Sequence, residues 1–196
     1  INAGLMRFSD FGGPVLYPVR PIDDYVSPEI ITSIIQATDD AYEIASSVNI
    51  SSTTLKLSKS TNKVTLGLRY QDLNIPQGAL ITNAYIRFSS SAFNSGATNL
   101  LFNGELIGNS TTFSDDSNDI SARVKTSNSV LWDTDNDWPV SNQTTVSPDL
   151  SSILQEIVDQ PDWCGGNSLN IIVDGEGIST SSERVSPAFE DGEGLG

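Results

Sequence analysis

Two runs of alternating apolar and polar residues constrain the fold of this chain more than any other feature. The first run covers residues 64–70 and the second covers residues 84–88, and the connection between them contains Pro76 and Gly78. Alternation with a period of two is typical of β-strands that have one buried face. Because such strands must bury that face against a second layer, we predict an all-β fold, a two-layer antiparallel β-sandwich that is jelly-roll-like.

Other segments continue the pattern of short strands separated by turns. Strands are predicted at residues 51–58, with Leu55 and Leu57 facing inward, and at 99–107, 129–132, 144–145 and 168–173, with a bulge at Gly104 and a turn at 174–177. Residues 30–35 suit a strand or a capped helix, and their β-branched side chains favour the strand. Residues 148–159 predict one short amphipathic helix, which Ser147 or Asp149 can cap and Pro161 ends.

Composition excludes several classes of function. The chain carries 25 acidic and 10 basic residues, a formal net charge of −15, so its field repels nucleic acid. No apolar run of about twenty residues is present, so we predict no membrane span. The chain contains no His, which excludes Ser-His-Asp and Cys-His catalysis and imidazole zinc sites. We therefore expect no enzyme, although a glycosidase that uses two carboxylates stays open.

The chain contains one cysteine, Cys164, which has no internal disulfide partner. Beside two glycines, it is predicted to be a small residue that is buried or half-buried. A catalytic thiol would need a basic neighbour. Pairing with a cysteine of another chain or segment stays open.

Acidic residues in two segments are candidate Ca²⁺ ligands. Asp133, Asp135 and Asp137 alternate along the chain, a spacing that can direct hard oxygen ligands at one Ca²⁺ ion, although the Gly and Glu of an EF-hand loop are missing. The alternative is an acidic turn with no metal. Asp39 and Asp40 predict a second acidic turn, either solvated or holding a cation.

Aromatic residues flank the first of these acidic segments. Trp132 and Trp138 can stack on sugar rings and are the candidate ligand-binding residues. More often a Trp fills the open end of a β-sandwich, and this role is favoured for Trp132. The polar residues from about 113 to 145 are predicted to form long loops that make the contacts with a partner.

Several segments resemble parts of known proteins. GLMRF, a Gly-Gly turn and VLYPV resemble the end of a von Willebrand factor A-like domain in PilY-type adhesins of type IV pilus tips. GLRYQDLNIPQGALITNAYIRF, PDLSSILQEIVDQPDW and GNSLNIIVDGEG resemble a β-sandwich module of the same adhesins and of other large secreted bacterial proteins. That module is distantly similar to carbohydrate-binding sandwiches of the DNRLRE kind.

The resemblance implies a domain division and a function. Residues 1–26 are expected to be a hairpin and linker from a flanking domain, and residues 27–196 a sandwich module without its closing strand, within a longer polypeptide. The expected function is non-catalytic adhesion outside the cell, at the cell surface or on a pilus, through a glycan or a protein. The alternative is a structural spacer that self-associates by strand exchange through an open sheet edge.

Overall fold

The computed structural model describes residues 29–60, 62–91, 96–134, 143–177 and 182–189. The chain divides into two compact units, residues 1–31 and 32–196, and the elements below belong to the second. The hairpin predicted within residues 1–26 lies outside the described residues, so that assignment stays a prediction. No helix among the described residues is long and apolar enough to cross a membrane.

The described residues form strands of three to eleven residues, one α-helix and a 3-10 turn at Ala37–Asp39. The elements are β1 (Asp40–Ile44), β2 (Ser47–Asn49), β3 (Thr54–Lys59), β4 (Lys63–Leu73), β5 (Arg87–Ser89), β6 (Thr98–Gly104), β7 (Val130–Thr134), β8 (Thr144–Val146), α1 (Ser151–Val158), β9 (Asn167–Gly177) and β10 (Glu183–Pro187). One six-stranded antiparallel sheet has the order β2-β1-β4-β9-β6-β7. Two smaller antiparallel sheets pair β10 with β3 and β5 with β8.

The main core lies on one face of the six-stranded sheet, which we call the inner face. Alternate residues of β4, β6 and β9 point into it and meet apolar residues of β3, of β5 and of α1. Leu55 and Leu57 of β3 are both buried, as their alternation predicts. The result confirms an all-β, sandwich-like fold with one short helix.

Two strand predictions are wrong in detail, and the two alternating runs lie in different sheets. The run at 64–70 lies within β4 of the six-stranded sheet, while the run at 84–88 overlaps β5, which pairs with β8. Residues 30–35 have no regular secondary structure. The turn predicted at 174–177 is part of β9, which pairs with β4 and β6 through these residues.

Gly104 does not mark a bulge. The pairing of β6 with β9 continues without a register shift to this residue. A Cβ atom at Gly104 would instead overlap the side chains of Ile157 and Ile153. The glycine therefore lets helix α1 approach the sheet closely, which is a packing requirement of two distant segments.

The opposite, outer face of the six-stranded sheet is covered by a long connection. We call residues 105–129 the cover segment. It contains no helix or strand of its own, yet Phe113 and Ile120 are buried with Ala41 and Ile172 of the sheet in a second, smaller core. The predicted long loop is therefore present, and much of it is anchored to the sheet instead of projecting from it.

One contact between cover and sheet brings three groups together, and we call it the Gly67–Phe113–Arg123 stack. A Cβ atom at Gly67 of β4 would overlap the Cζ end of the Phe113 ring, so this end of the ring lies against the strand backbone. The Arg123 guanidinium carbon lies 4.6 Å from the centroid of the same ring, a cation–π distance. The stack needs a glycine at position 67.

This stack predicts strong coupling between positions 67 and 113. Gly67→Ala should lower the free energy of unfolding by about 2 kcal/mol, because the added methyl group overpacks the site. Phe113→Leu should also destabilise by about 1–2 kcal/mol through lost volume. The double variant should lower the free energy of unfolding by clearly less than the sum of the two single variants, since the smaller side chain makes room for the methyl group. Urea unfolding measures all three values, and simple additivity would contradict the stack.

Candidate binding groove

Buried ion pairs attach the cover segment to the sheet. Asp39 is fully buried, and its carboxylate accepts hydrogen bonds from Arg69 Nη1 at 2.9 and 3.2 Å. Arg69 Nε also donates to the Ser110 carbonyl of the cover segment at 3.0 Å. The Thr112 hydroxyl lies 2.9 Å from Asp39 Oδ1. One guanidinium and one carboxylate thus hold β4 and the start of the cover together.

A second arginine shapes the cover segment from within. Arg123 Nη1 lies 2.9 Å from Glu105 Oε2, and Arg123 Nη2 lies 3.0 Å from Asp119 Oδ2. Its remaining N–H groups donate to the carbonyls of Asp119, Thr111 and Thr112. Because all five donors of the guanidinium are used, this largely buried charge is both neutralised and hydrogen-bonded.

Further contacts pin the middle and the end of the cover segment. Glu43 of β1 accepts hydrogen bonds from the Ser121 amide at 2.9 Å and from the Ser121 hydroxyl at 2.6 Å. Lys125 Nζ lies 2.6 Å from Asp174 Oδ2 of β9. Burial raises the pKa of Asp174, but hydrogen bonds and the positive charge of Lys125 outweigh it and lower the pKa below its usual value.

Helix α1 is placed by its apolar stripe and by a carboxylate just before it. Ile153, Ile157 and Val158 are buried against the sheet. Asp149 Oδ1 accepts hydrogen bonds from the Ser151 amide at 3.0 Å and from the Ala84 amide at 2.9 Å. The predicted helix is confirmed but shorter, at Ser151–Val158, and the predicted capping by Ser147 or Asp149 is wrong, because the N-cap residue is Leu150 and it makes no side-chain capping hydrogen bond.

Glu156, on the polar side of α1, joins the helix to the end of the cover segment. Its Oε1 accepts from the Ser127 amide at 2.8 Å and from the Ser127 hydroxyl at 3.0 Å. Its Oε2 accepts from the Asn128 amide and from Asn128 Nδ2, both at 2.8 Å. Burial opposes ionisation of Glu156, but these four hydrogen bonds outweigh it and lower the pKa of the carboxyl.

We call these four hydrogen bonds to Glu156 the clamp. A shallow groove of ≈ 490 Å³ opens beside it, between α1 and the end of the cover segment. Its walls are hydroxyl, amide and carboxylate side chains, namely Ser127, Asn128, Ser152, Gln155, Glu156, Asp159 and Gln160. Asp159 Oδ1 accepts a hydrogen bond from Gln155 Nε2 at 3.0 Å. Among the described residues, no basic or aromatic side chain lines the groove, and its polar walls suit a ligand rich in hydrogen-bonding groups.

The predicted acidic turn at residues 39–43 is wrong. Asp39 and Asp40 are buried, and Asp40 begins β1 with its Oδ2 accepting a hydrogen bond from the Phe189 amide at 2.8 Å. The two carboxylates do not face a common site, because Asp39 binds Arg69 and Asp40 binds the Phe189 amide. Among the described residues, no group of three His, Cys, Asp or Glu side chains is arranged to hold a metal ion.

Of the other predicted site residues, some belong to the described part of the chain and some do not. Asp135, Asp137 and Trp138 lie outside the described residues, so the calcium site stays a prediction. Asp133 is exposed near the end of β7. Trp132 is half-buried, with its ring centroid 6.2 Å from that of Phe88, and it packs against the main core. Its two predicted roles, ligand binding and filling the end of the sandwich, stay predictions.

The predicted burial of Cys164 is wrong. Its side chain is exposed, and Sγ lies 3.1 Å from Asn167 Oδ1. The prediction relied on the general tendency of cysteine to be buried. In this chain the residue instead lies in the turn that connects α1 to β9.

Sequence reasoning did not identify the residues that line the groove. Glu156 is an ordinary polar-face residue of an amphipathic helix, and its partners Ser127 and Asn128 belong to a segment rich in Ser, Thr, Asn and Asp. The carboxylate and the first of these partners are separated by 29 residues. A local pattern carries no signal for a contact over this distance.

The clamp predicts a pH-dependent contribution to stability. Glu156→Gln should lower the free energy of unfolding by about 1 kcal/mol at pH 7, because the amide nitrogen cannot accept two of the four hydrogen bonds. Since folding lowers the pKa of Glu156, the stabilisation is present above its unfolded pKa of about 4.3 and is lost as the pH falls through the lower folded value. The difference between wild type and variant should therefore shrink below about pH 4.

Urea unfolding at several pH values measures this difference. Asp115→Asn is the matched control, because it removes one exposed carboxylate from the same cover segment outside the clamp. A difference between wild type and Glu156→Gln that is independent of pH, or equal to that of Asp115→Asn, would contradict the clamp.

The chain matches no model of a protein family and no curated protein. What the groove can bind is therefore inferred from its shape, its charges and its hydrogen bonds.

Proposed function

We propose that this chain is a non-catalytic binding module of an extracellular or surface protein, and that it binds glycans in the groove beside α1. The groove itself carries the proposal. Hydroxyl-rich ligands lose hydrogen bonds to water on binding and need replacements, which carboxylate, amide and hydroxyl side chains provide. Adhesion at a surface or a pilus is the biological role that agrees with this chemistry and with the resemblance to secreted adhesins.

The rigidity of the groove wall supports a binding role. The wall includes the last residues of the cover segment, where Thr126 donates its amide to the Gly104 carbonyl at 2.9 Å and Asn103 Nδ2 lies 3.3 Å from the Asn128 carbonyl. A wall held by the sheet on one side and by Glu156 on the other loses little conformational entropy when a ligand binds. Long connections anchored to a rigid scaffold are common places for binding sites.

The carboxyl groups of the described residues give no support to a glycosidase. A general acid in such an enzyme needs a raised pKa so that it holds a proton near neutral pH. The carboxyl groups with clearly shifted pKa values, Asp149, Glu156 and Asp174, all shift downward. A lowered pKa keeps these groups ionised near neutral pH, which is the opposite of what a general acid needs.

A structural role through strand pairing is the second candidate, and it rests on β7. This strand ends the six-stranded sheet, and on its outer face Leu131 is 57% exposed beside Leu101, which is 37% exposed and directly opposite on β6. Exposed apolar residues on a terminal strand favour pairing with a further strand.

A glycan array with blocked and control variants tests the first candidate. Ser152→Tyr places a large side chain in the groove at an exposed position, while Ser51→Tyr makes the same change at an exposed residue that does not line it. We expect wild type and Ser51→Tyr to bind the same glycans and Ser152→Tyr to bind them at least about tenfold more weakly, which corresponds to 1.4 kcal/mol.

Two outcomes would contradict glycan binding in the groove. One is the absence of glycan binding by the wild-type chain, and the other is equal binding by both tyrosine variants. Sedimentation velocity on the same samples distinguishes the second candidate, which requires oligomers that grow with concentration.

A further inference from the structure

We infer that residues 30–35 form a β-ribbon between two copies of this chain, in which the two segments pair antiparallel about a two-fold axis. None of these residues lines the groove beside α1. The inference therefore goes beyond the proposed function and does not depend on glycan binding. It follows from the unpaired backbone of the segment, from its exposed isoleucines and from a sequence that is complementary to itself.

The backbone of residues 29–35 is unpaired in the single chain. Within this described stretch, no N–H, C=O or side-chain polar group makes a hydrogen bond. The next residue, Gln36, is held by the fold, because its carbonyl accepts from the Asp39 amide at 3.0 Å. A row of backbone N–H and C=O groups without partners is the feature with which one chain adds a strand to another.

Isoleucine side chains of the same segment are exposed to water. Ile31 is 86% exposed, Ile35 is 54% exposed and Ile30 is 47% exposed. The fourth, Ile34, is half-buried and packs against the main core, so it anchors the segment to the folded domain. Residues 30–35 are mostly β-branched and include no charge, Pro or Gly, which is the signature of short segments that pair as strands between chains.

The order of the residues selects a second copy of this chain as the partner. Residues 30–35 read Ile-Ile-Thr-Ser-Ile-Ile, almost the same in both directions. With the two-fold axis between the two hydroxyl residues, the cross-strand pairs are Ile30 with Ile35, Ile31 with Ile34, and Thr32 with Ser33. Pairs of β-branched apolar residues and pairs of hydroxyl residues both stabilise antiparallel strands. Because both copies use the same surface, the assembly closes as a dimer.

Charge permits this pairing, although each copy has a net charge of −15. The two copies meet through residues 30–36, which carry no charged side chain. In the same register Glu29 faces Gln36 of the other copy, so a carboxylate lies opposite an amide that can donate to it and not opposite a second carboxylate. A register shifted by two residues in either direction would place isoleucines opposite Thr32 and Ser33.

Sedimentation equilibrium and amide hydrogen exchange on the full chain test for the dimer. A ribbon of two strands is marginally stable by itself, so we expect a reversible equilibrium between monomer and dimer over about 0.01–1 mM, without larger species. The amides of residues 30–35 should exchange fast at the lowest concentration and at least about tenfold more slowly at the highest, since pairing protects them.

Ile30→Lys, Ile35→Glu and their combination test the register. Each single variant places a charge opposite an isoleucine and should weaken the dimer at least about tenfold, which corresponds to 1.4 kcal/mol. The combination places opposite charges across from each other at both ends of the ribbon and should restore most of the affinity. Positions 30 and 35 lie on opposite faces of one strand because their spacing is odd, so the restoration requires the second copy.

Val124→Lys and Leu131→Lys are the matched controls. Each makes the same change of charge at an exposed aliphatic residue outside the segment, the second of them in β7. Both should leave the dimer unchanged. Association that Leu131→Lys abolishes and Ile30→Lys does not would overturn the inference, because it would assign the contact to β7.

Three further results would overturn the inference. One is a wild-type chain that stays monomeric up to about 1 mM, and another is a combined variant as weak as the single variants. The third is slow exchange of residues 30–35 at every concentration, which would assign the pairing to the chain itself. None of these results bears on glycan binding in the groove, which Ser152→Tyr tests separately.

Discussion

The cover segment stays on the outer face of the six-stranded sheet because charged groups buried between them have partners on both sides. Removing a charge from water costs several kcal/mol unless an opposite charge and hydrogen bonds replace the lost hydration. Arg69 of the sheet is paired with Asp39 of the 3-10 turn and donates further hydrogen bonds to the Ser110 carbonyl of the cover segment and to Ser168 of β9. Glu43 of the sheet accepts hydrogen bonds from the amide and the hydroxyl of Ser121 in the cover segment. Lifting the cover would remove one acceptor of Arg69 and both of these donors to Glu43. The arrangement thus specifies one position for a segment that has no helix or strand of its own.

The position of the cover segment determines the candidate binding groove. Phe113 can reach the backbone of the sheet only because Gly67 has no side chain, and the Arg123 guanidinium lies over the same ring. From this anchored middle, the segment reaches β7 past Ser127 and Asn128, which Glu156 of α1 clamps with four hydrogen bonds. The groove wall is consequently rigid, although it is built from loop residues. Rigid walls and polar lining are the physical basis for proposing a binding module.

Much of the fold could be predicted from the sequence, because its signals are local. The alternation in β4, the apolar run in β9 and the apolar stripe of α1 extend over a few residues each, and each predicts an element that is buried at least on one face. Where β-branched residues lack such alternation, as at residues 30–35, strand propensity alone was misleading. A high strand propensity means that a side chain fits a half-buried position in a sheet. It does not show that the segment belongs to a sheet. The pairing of strands also escaped prediction, since β4 and β5 are neighbours in sequence but belong to different sheets.

The candidate groove could not be predicted, and neither could the burial of Asp39 and Asp40. An acidic pair in a polar context predicts a solvated turn, and only the three-dimensional approach of Arg69, 30 residues away from Asp39, explains why burial is tolerated. The same limit applies to Glu156, because its partners lie near it only in the folded chain, where the end of the cover segment meets α1. In both cases the residues that make the decisive contact are far apart in the sequence, and no repeating pattern connects them.

Amide hydrogen exchange tests most directly whether the cover segment is anchored as described. The amides of Phe113, Ser121 and Thr126 in the cover segment donate hydrogen bonds to acceptors outside it. These acceptors are the Thr38 carbonyl, the Glu43 carboxylate and the Gly104 carbonyl, respectively. The account predicts that these three amides exchange about as slowly as those of β9, since they become accessible only when the buried ion pairs open. Exchange of these amides at the rate of an unprotected loop, with β9 still protected, would contradict the account.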